Sequence, residues 1–256
     1  MKELNSDEKF DFYLSEAKEK SITGWNFPYN KERYVTAPLT WSYKSIVLPY
    51  IRKAKSLLDM DTGGGELLSE LIPLPGHTRA TERYEPNLAI ATKRLSPLGV
   101  KVFQYEKDDN LPFKDEEFEL IINRHGSYSP KEIYRILEPE GYFVTQQVGR
   151  RNAAQLRTLI LGDEKHEWAE WYALSAVKEL EEAGFLILEN KEHYPLTRIF
   201  DIGALVYHLI NIPWEVPGFS VKKHKAQLRH IHEIIEKQGY LDLYNHRFFI
   251  KAQKQT

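Results

Sequence analysis

The sequence predicts an α/β fold with a mostly parallel sheet and helices on both faces. Two observations carry that expectation. Between residues 56 and 148, short apolar runs alternate with segments of helical period. A glycine cluster, Gly63-Gly64-Gly65, stands where the first apolar run passes into the first helical segment. Glycine there lets the backbone turn sharply and approach a ligand closely.

Taken in order, residues 5–20 predict a helix. Residues 22–41 set Trp25, Phe27, Tyr29, Tyr34 and Trp41 among Gly, Pro and Asn, which predicts an aromatic loop. Residues 42–55 predict a helix with Val47, Leu48 and Ile51 on one face and a blemish at Pro49. Strands follow at 56–60, 77–82, 100–105, 118–122 and 141–148. Helices fall between them at 66–72, 86–95 and 130–137. The run at 118–122 is apolar enough to be covered on both faces. Beyond residue 150 the pattern loosens. A helix at 169–183 has Leu174, Val177 and Leu180 in register, with Gly184 placed as a C-terminal cap. A strand at 185–189, helices at 200–212 and 222–237, and a strand at 248–250 complete the reading.

Composition narrows the chemistry. The 256 residues include no cysteine, which removes disulfide frameworks, cysteine-based zinc sites, iron–sulfur clusters and thiol catalysis. A formal charge of −2 argues against holding nucleic acid by bulk charge. The first ten residues are polar and charged, and no run approaches a membrane span. The expectation is a soluble cytoplasmic protein. His230 and His232 are two apart and His224 and His230 six apart, poor spacings for shared ligation on a helix, so no metal is expected.

The glycine cluster fits neither of two phosphate-binding patterns. A dinucleotide fingerprint beginning at Gly63 would need a glycine where Leu68 stands, and there is no Walker lysine. The chain from about 45 to 150 instead resembles the class I S-adenosylmethionine-dependent methyltransferases. Their first motif is an acid ending the first strand, followed by G-x-G-x-G. Asp59 takes the acid position and Gly63 and Gly65 the second and third glycines, with Gly64 between them. Asp61 stands at the first glycine, a departure. Glu82 ends the second strand 17 residues beyond Gly65, where the family's acid binds the ribose hydroxyls. Asp108-Asp109 resembles the family's acidic loop near the adenine. Residues 113–122 are similar to its P-F-x-D-x-x-F-D-L-V element, and 135–141 to R-x-L-K-P-G-G, with Glu140 replacing a glycine.

That resemblance implies a Rossmann-like sheet of seven strands, mostly parallel with an antiparallel last strand. It implies S-adenosyl-L-methionine as cofactor, held by Asp59, Asp61, Gly63, Gly64, Gly65 and Glu82, by Asp108 or Asp109, and by Asn123. It also points to a bacterial subgroup whose substrates are not known. No linker is visible, so one domain is expected over 1–256. Within it, 1–41 would be an N-terminal helix and aromatic cap, 42–150 a cofactor-binding core, and 151–256 a C-terminal half with a substrate-side insertion at about 197–240. His125 follows the fourth strand with Ser127 and Tyr128 and is the candidate base. Trp25, Tyr29, Trp41, Arg198 and Trp214 are candidate walls for the methyl acceptor.

Three functions follow: methyl transfer to a small molecule, methyl transfer to RNA, and cofactor-independent binding. The RNA reading rests on Lys222, Lys223, His224, Lys225, Arg229 and His230. The third rests on Asp61.

Overall fold

Residues 4–20, 27–162 and 171–255 are described by the computed structural model. Their contacts group them into two units. One holds residues 40–149, 171–193 and 247–255, and the other holds 4–20, 27–39, 150–162 and 194–246.

The first unit is built on seven strands: β1 Ser56–Met60, β2 His77–Thr81, β3 Lys101–Phe103, β4 Phe118–Arg124, β5 Leu137–Val148, β6 Phe185–His193 and β7 Arg247–Lys254. Their order is β3-β2-β1-β4-β5-β7-β6. The pairs among β1 to β5 are parallel, and β7 runs antiparallel to both β5 and β6. All five residues of β1 are buried, as a central parallel strand covered on both faces requires. Helices Tyr43–Ile51, Glu66–Ser69, Glu85–Leu95, Pro130–Ile136 and Ala173–Glu182 pack around this sheet. Ala176 and Leu180 join Phe143, Phe185 and Phe248 in one apolar cluster. The expected seven-stranded architecture is therefore the observed one.

Two local features explain why the sequence motifs recur. Arg135 donates to Glu132 at 2.6 and 2.8 Å, to Asp115 at 2.6 Å and to the Phe113 carbonyl at 3.0 Å. It ties the helix before β5 to the loop before β4. Asp61 and Glu140, which replace glycines of the resembled family, both have positive φ, 51° and 62°. The backbone keeps the left-handed turns that glycine would favour, and these side chains bear them.

The second unit carries a small antiparallel sheet, Tyr34–Thr36, Leu196–Ile199 and Leu241–Tyr244, with Leu196–Ile199 in the middle. Helices Ser6–Glu19, Ala154–Leu161, Ile202–Asn211 and Lys225–Gln238 surround a core containing Phe10, Leu14, Leu205, Tyr207 and Ile231. Asp201 caps Ile202–Asn211 through the Ala204 amide and takes a forked pair from Arg33 at 2.7 and 2.6 Å.

Several elements depart from expectation. The helix after the glycines ends at Ser69 instead of residue 72, ahead of Pro73 and Pro75. The helix expected over 42–55 stops at Ile51 and keeps Pro49 inside it. Within 22–41, Pro28–Asn30 is a 3-10 turn and Tyr34–Thr36 a strand. The helix Ala154–Leu161 had no signal strong enough to call it: it starts from Ala153 at φ 54° with no side-chain cap. Among the described residues, no helix is long and apolar enough to cross a membrane.

Candidate functional site

The turns after β1, β2, β3 and β4 meet at the carboxyl edge of the sheet, where ligands of open α/β sheets bind. In β1, Asp59 is 3 % exposed and accepts a bond of 2.6 Å from the Thr62 hydroxyl. Burial pushes its carboxyl up to about 7, against the Thr62 bond, and the charges of Asp61 and Glu82 push the same way.

The glycine loop is shaped by its neighbours. Gly65 has φ 78°, and a Cβ there would lie 2.8 Å from Leu95 Cγ. Arg94 donates to the Gly64 carbonyl and pairs with Glu66 at 2.6 Å. The loop is thus clamped to the helix Glu85–Leu95. Because the helix opening at Glu66 lasts one turn, it offers little aligned dipole to a ligand.

Glu82 is 5 % exposed and lies one residue past β2. It accepts the Tyr84 amide at 2.7 Å, and the Gly63 and Arg83 amides also favour its charged form. Burial is the larger influence and raises its pKa. The Thr62 amide donates to the Thr81 carbonyl at 2.9 Å, which brings the glycine loop beside the end of β2 although Gly65 and Glu82 are 17 residues apart in sequence.

Asp61 spends its side chain inside the protein. It accepts the Tyr105 hydroxyl at 2.7 Å, and a Cβ on Gly126 would lie 2.5 Å from Asp61 Cβ. Burial raises the Asp61 pKa. The same Tyr105 oxygen is 3.1 Å from Asp108, which also faces Arg83 at 3.7 Å. Arg83 donates to Ser127 at 3.0 Å. A polar belt thereby crosses all four turns. Asp108 belongs to this belt, while Asp109 is exposed. A cleft of about 350 Å³ borders this belt, lined by Tyr105, Lys107, Asn110 and Pro112 among others.

On β4, Asn123 is fully buried. Its Oδ1 accepts from Thr145 at 3.0 Å and Gln147 at 2.6 Å, while its Nδ2 is buried without a partner. An orphaned buried donor costs about 1–3 kcal/mol. His125 follows with φ 68° and an exposed residue surface. Its Nε2 lies 3.0 Å from Gln146 Nε2, and Gln146 Oε1 accepts the Trp41 indole N–H at 2.9 Å. Desolvation, followed by the charges of Arg247 and Arg124, holds the His125 pKa well below the ordinary imidazole range.

The acceptor candidates have separate fates. Trp41 is buried in the first unit against Phe249 and His193. In the second unit, Tyr29 donates to Glu16 at 2.6 Å and lies under Arg33. Arg198 forks onto Asp242 at 2.7 Å and stacks on Tyr240. Internal partners account for both residues. Trp214 is 58 % exposed, and Trp25 lies outside the described residues. Among the described residues, no three His, Asp or Glu side chains gather as a metal site. Sequence reasoning missed Tyr105 and Arg83, which carry no motif; Gly126 and Gln146 lie in stretches that resemble the family, and their contacts with Asp61 and with Trp41 and His125 appear only in the structure.

No protein-family model matches the chain, and no curated protein does. Solved structures do. A Bacillus halodurans protein provisionally named a methyltransferase is 20% identical, with a TM-score of 0.59 over 82% of this chain and 99% of that one. The [4+2]-cyclase SpnF is 17% identical, with a TM-score of 0.54 over 83% and 80%. A Galdieria sulphuraria protein provisionally named a sarcosine dimethylglycine methyltransferase is 13% identical, with a TM-score of 0.51 over 82% and 83%. With the strand order and the antiparallel β7, these likenesses establish that the chain has the Rossmann-like fold of the class I methyltransferases.

Proposed function

We propose that the chain binds S-adenosyl-L-methionine and transfers its methyl group to a small-molecule acceptor. One observation carries the reading: the buried Glu82 lies one residue past β2, where the Thr62 amide of the loop after β1 donates to the Thr81 carbonyl at 2.9 Å and sets that loop beside the acid. A carboxylate can accept several hydrogen bonds. After the Tyr84 and Gly63 amides, Glu82 retains capacity for a ribose diol beside a loop that backbone can share. The donor bears a sulfonium and an ammonium, and the buried carboxylates of Asp59 and Glu82, both raised by burial and by the charge of Asp61, favour a cation beside them. Asp108 is the acid for the adenine amino group, and Asn123 Nδ2 the donor for the methionine carboxylate. The cofactor supplies the electrophilic methyl; the chain aligns it and excludes water.

A small acceptor is favoured over RNA because the basic run is partly neutralised. Lys225 pairs with Asp11 at 3.0 Å, Arg229 pairs with Asp7, and His224 is buried. A second reading, a binding protein without transfer, is favoured by the Asp61 side chain standing where the family has glycine.

Calorimetry of the purified chain with S-adenosylmethionine tests the proposal. Saturable uptake is expected, weakened by Glu82→Gln. No uptake at millimolar donor would refute it, and uptake without turnover over a metabolite panel would favour the second reading.

A further inference from the structure

Gln146 sits between a group that can only donate and a group that can do either. The Trp41 indole N–H is a donor with no acceptor capacity. The Gln146 atom 2.9 Å from it is therefore the carbonyl oxygen Oε1. That fixes the other end of the amide, the NH₂, toward His125 Nε2 at 3.0 Å. An amide NH₂ only donates, so Nε2 must be the acceptor and carry no proton. The proton of the neutral ring is then on Nδ1. A protonated ring would set N–H against N–H.

The backbone reinforces this placement. Arg124 and Gln146 are register partners in β4 and β5, and the His125 amide donates to the Gln146 carbonyl at 2.8 Å. His125 has φ 68°, a conformation uncommon outside glycine and retained where neighbours over-determine it. Among the described residues, His125 Nδ1 has no hydrogen-bond partner. The cationic side chains acting on the ring are those of Arg247 and Arg124.

We propose that Gln146, oriented by Trp41, is a positioning residue that holds His125 as the neutral Nδ1–H tautomer, so that the ring offers a hydrogen-bond donor to an anionic oxygen of the methyl acceptor and does not act as a base. The acceptor's part rests on the methyl-transfer reading above; the tautomer does not. The expected acceptor is a small acid such as a carboxylate, oriented by His125 Nδ1–H and favoured by the positive charges of Arg247 and Arg124 that act on the ring. Its nucleophilic atom would bond to the methyl carbon with a lone pair already free, as the methyl–sulfur bond breaks and its electron pair stays on sulfur as a neutral thioether; no proton need pass to Nε2, whose lone pair is engaged by Gln146.

Histidine-labelled full-length protein, without cofactor, tests the tautomer by long-range ¹H–¹⁵N correlation, with His125→Gln assigning the signal. The pattern of an Nδ1–H ring is expected in the wild type near neutral pH. Gln146→Glu places a carboxylate against Nε2, and both nitrogens should then hold protons at the same pH. Trp41→Phe frees the amide to rotate and should give a mixture of tautomers. An Nε2–H pattern in the wild type, or no change on Gln146→Glu, overturns the proposal. Benzoate is the probe for the anion site. Millimolar benzoate should move the His125 Nδ1–H resonance in the wild type and less in Arg124→Gln; an unmoved resonance overturns the anion assignment. These readouts use no cofactor, so their failure is distinct from a failure of donor binding.

Discussion

Replacing Asp59 with Asn isolates the cost of an ionised carboxylate in the middle of the sheet. Asp59 is held near 7 in the folded protein against 3.8 for the ordinary carboxyl. The difference corresponds to about 4 kcal/mol when the group is fully ionised in both states. The sign follows from proton counts. Below about pH 4 both states carry the proton and the group adds nothing. Between about pH 4 and pH 7 the unfolded chain has lost it while the native state keeps it, so stability falls as pH rises. Above about pH 7 the native state bears the whole cost. Asn removes this dependence. It also leaves an amide nitrogen beside Thr62 that needs a partner, a constant penalty of about 1–3 kcal/mol. Urea denaturation of wild type and Asp59→Asn from about pH 4 to pH 8 separates the two contributions, because only the first varies with pH. The expected difference curve rises in favour of Asn by up to about 4 kcal/mol across the window. Asp61 and Glu82 titrate in both proteins and largely cancel. A flat difference curve, or one that rises toward acid, would refute the burial argument for Asp59.

Four further outcomes are expected. Gly126→Ala drives a methyl group into Asp61 and should destabilise by about 1–3 kcal/mol in urea; Asp61→Gly in the same chain should restore most of it, and additive losses would show that the contact does not matter. Asp61→Gly alone suits its φ of 51° and opens the turn, so calorimetry should find tighter donor binding than in wild type. Glu82→Gln should weaken donor binding about 10- to 100-fold, as the loss of charged acceptors implies, without lowering the urea midpoint. Arg135→Ala leaves Glu132, 6 % exposed, without its guanidinium and should cost about 3–5 kcal/mol in thermal or urea unfolding.

The sheet was legible because its central strands, Ser56–Met60 and Phe118–Arg124, are almost wholly buried and read as apolar runs with helices between them. The turns were legible where glycine or its substitute bends the backbone, as at Gly65, Asp61 and Glu140. The interest in Glu82 came from the family resemblance, which puts an acid at the end of the second strand. What stayed hidden had no local signal. The strands Tyr34–Thr36, Leu196–Ile199 and Leu241–Tyr244 are three or four residues each, too short to show alternation, and exist only through pairing across distant sequence. Tyr29 and Arg198 carry an aromatic ring and a guanidinium, which serve both recognition and internal polar contacts, and sequence alone does not name their partners. Only the structure reveals Glu16 and Asp242 as their partners. His125 was read from its pKa range as a base, while its hydrogen-bonding direction depends on Trp41, 84 positions earlier.

The position of β7 bears on how the protein is made. During synthesis, β5 emerges from the ribosome with one edge paired by β4 and the other open, and residues 149–246 must follow before its second neighbour exists. For that interval Phe143, Val144 and Thr145 lie on an open edge, the kind of template that other chains seek. β6 fares worse, since β7 is its sole neighbour in the sheet. A nascent chain halted before Arg247 would hold a five-stranded sheet with an orphan strand and would be a natural client for chaperones.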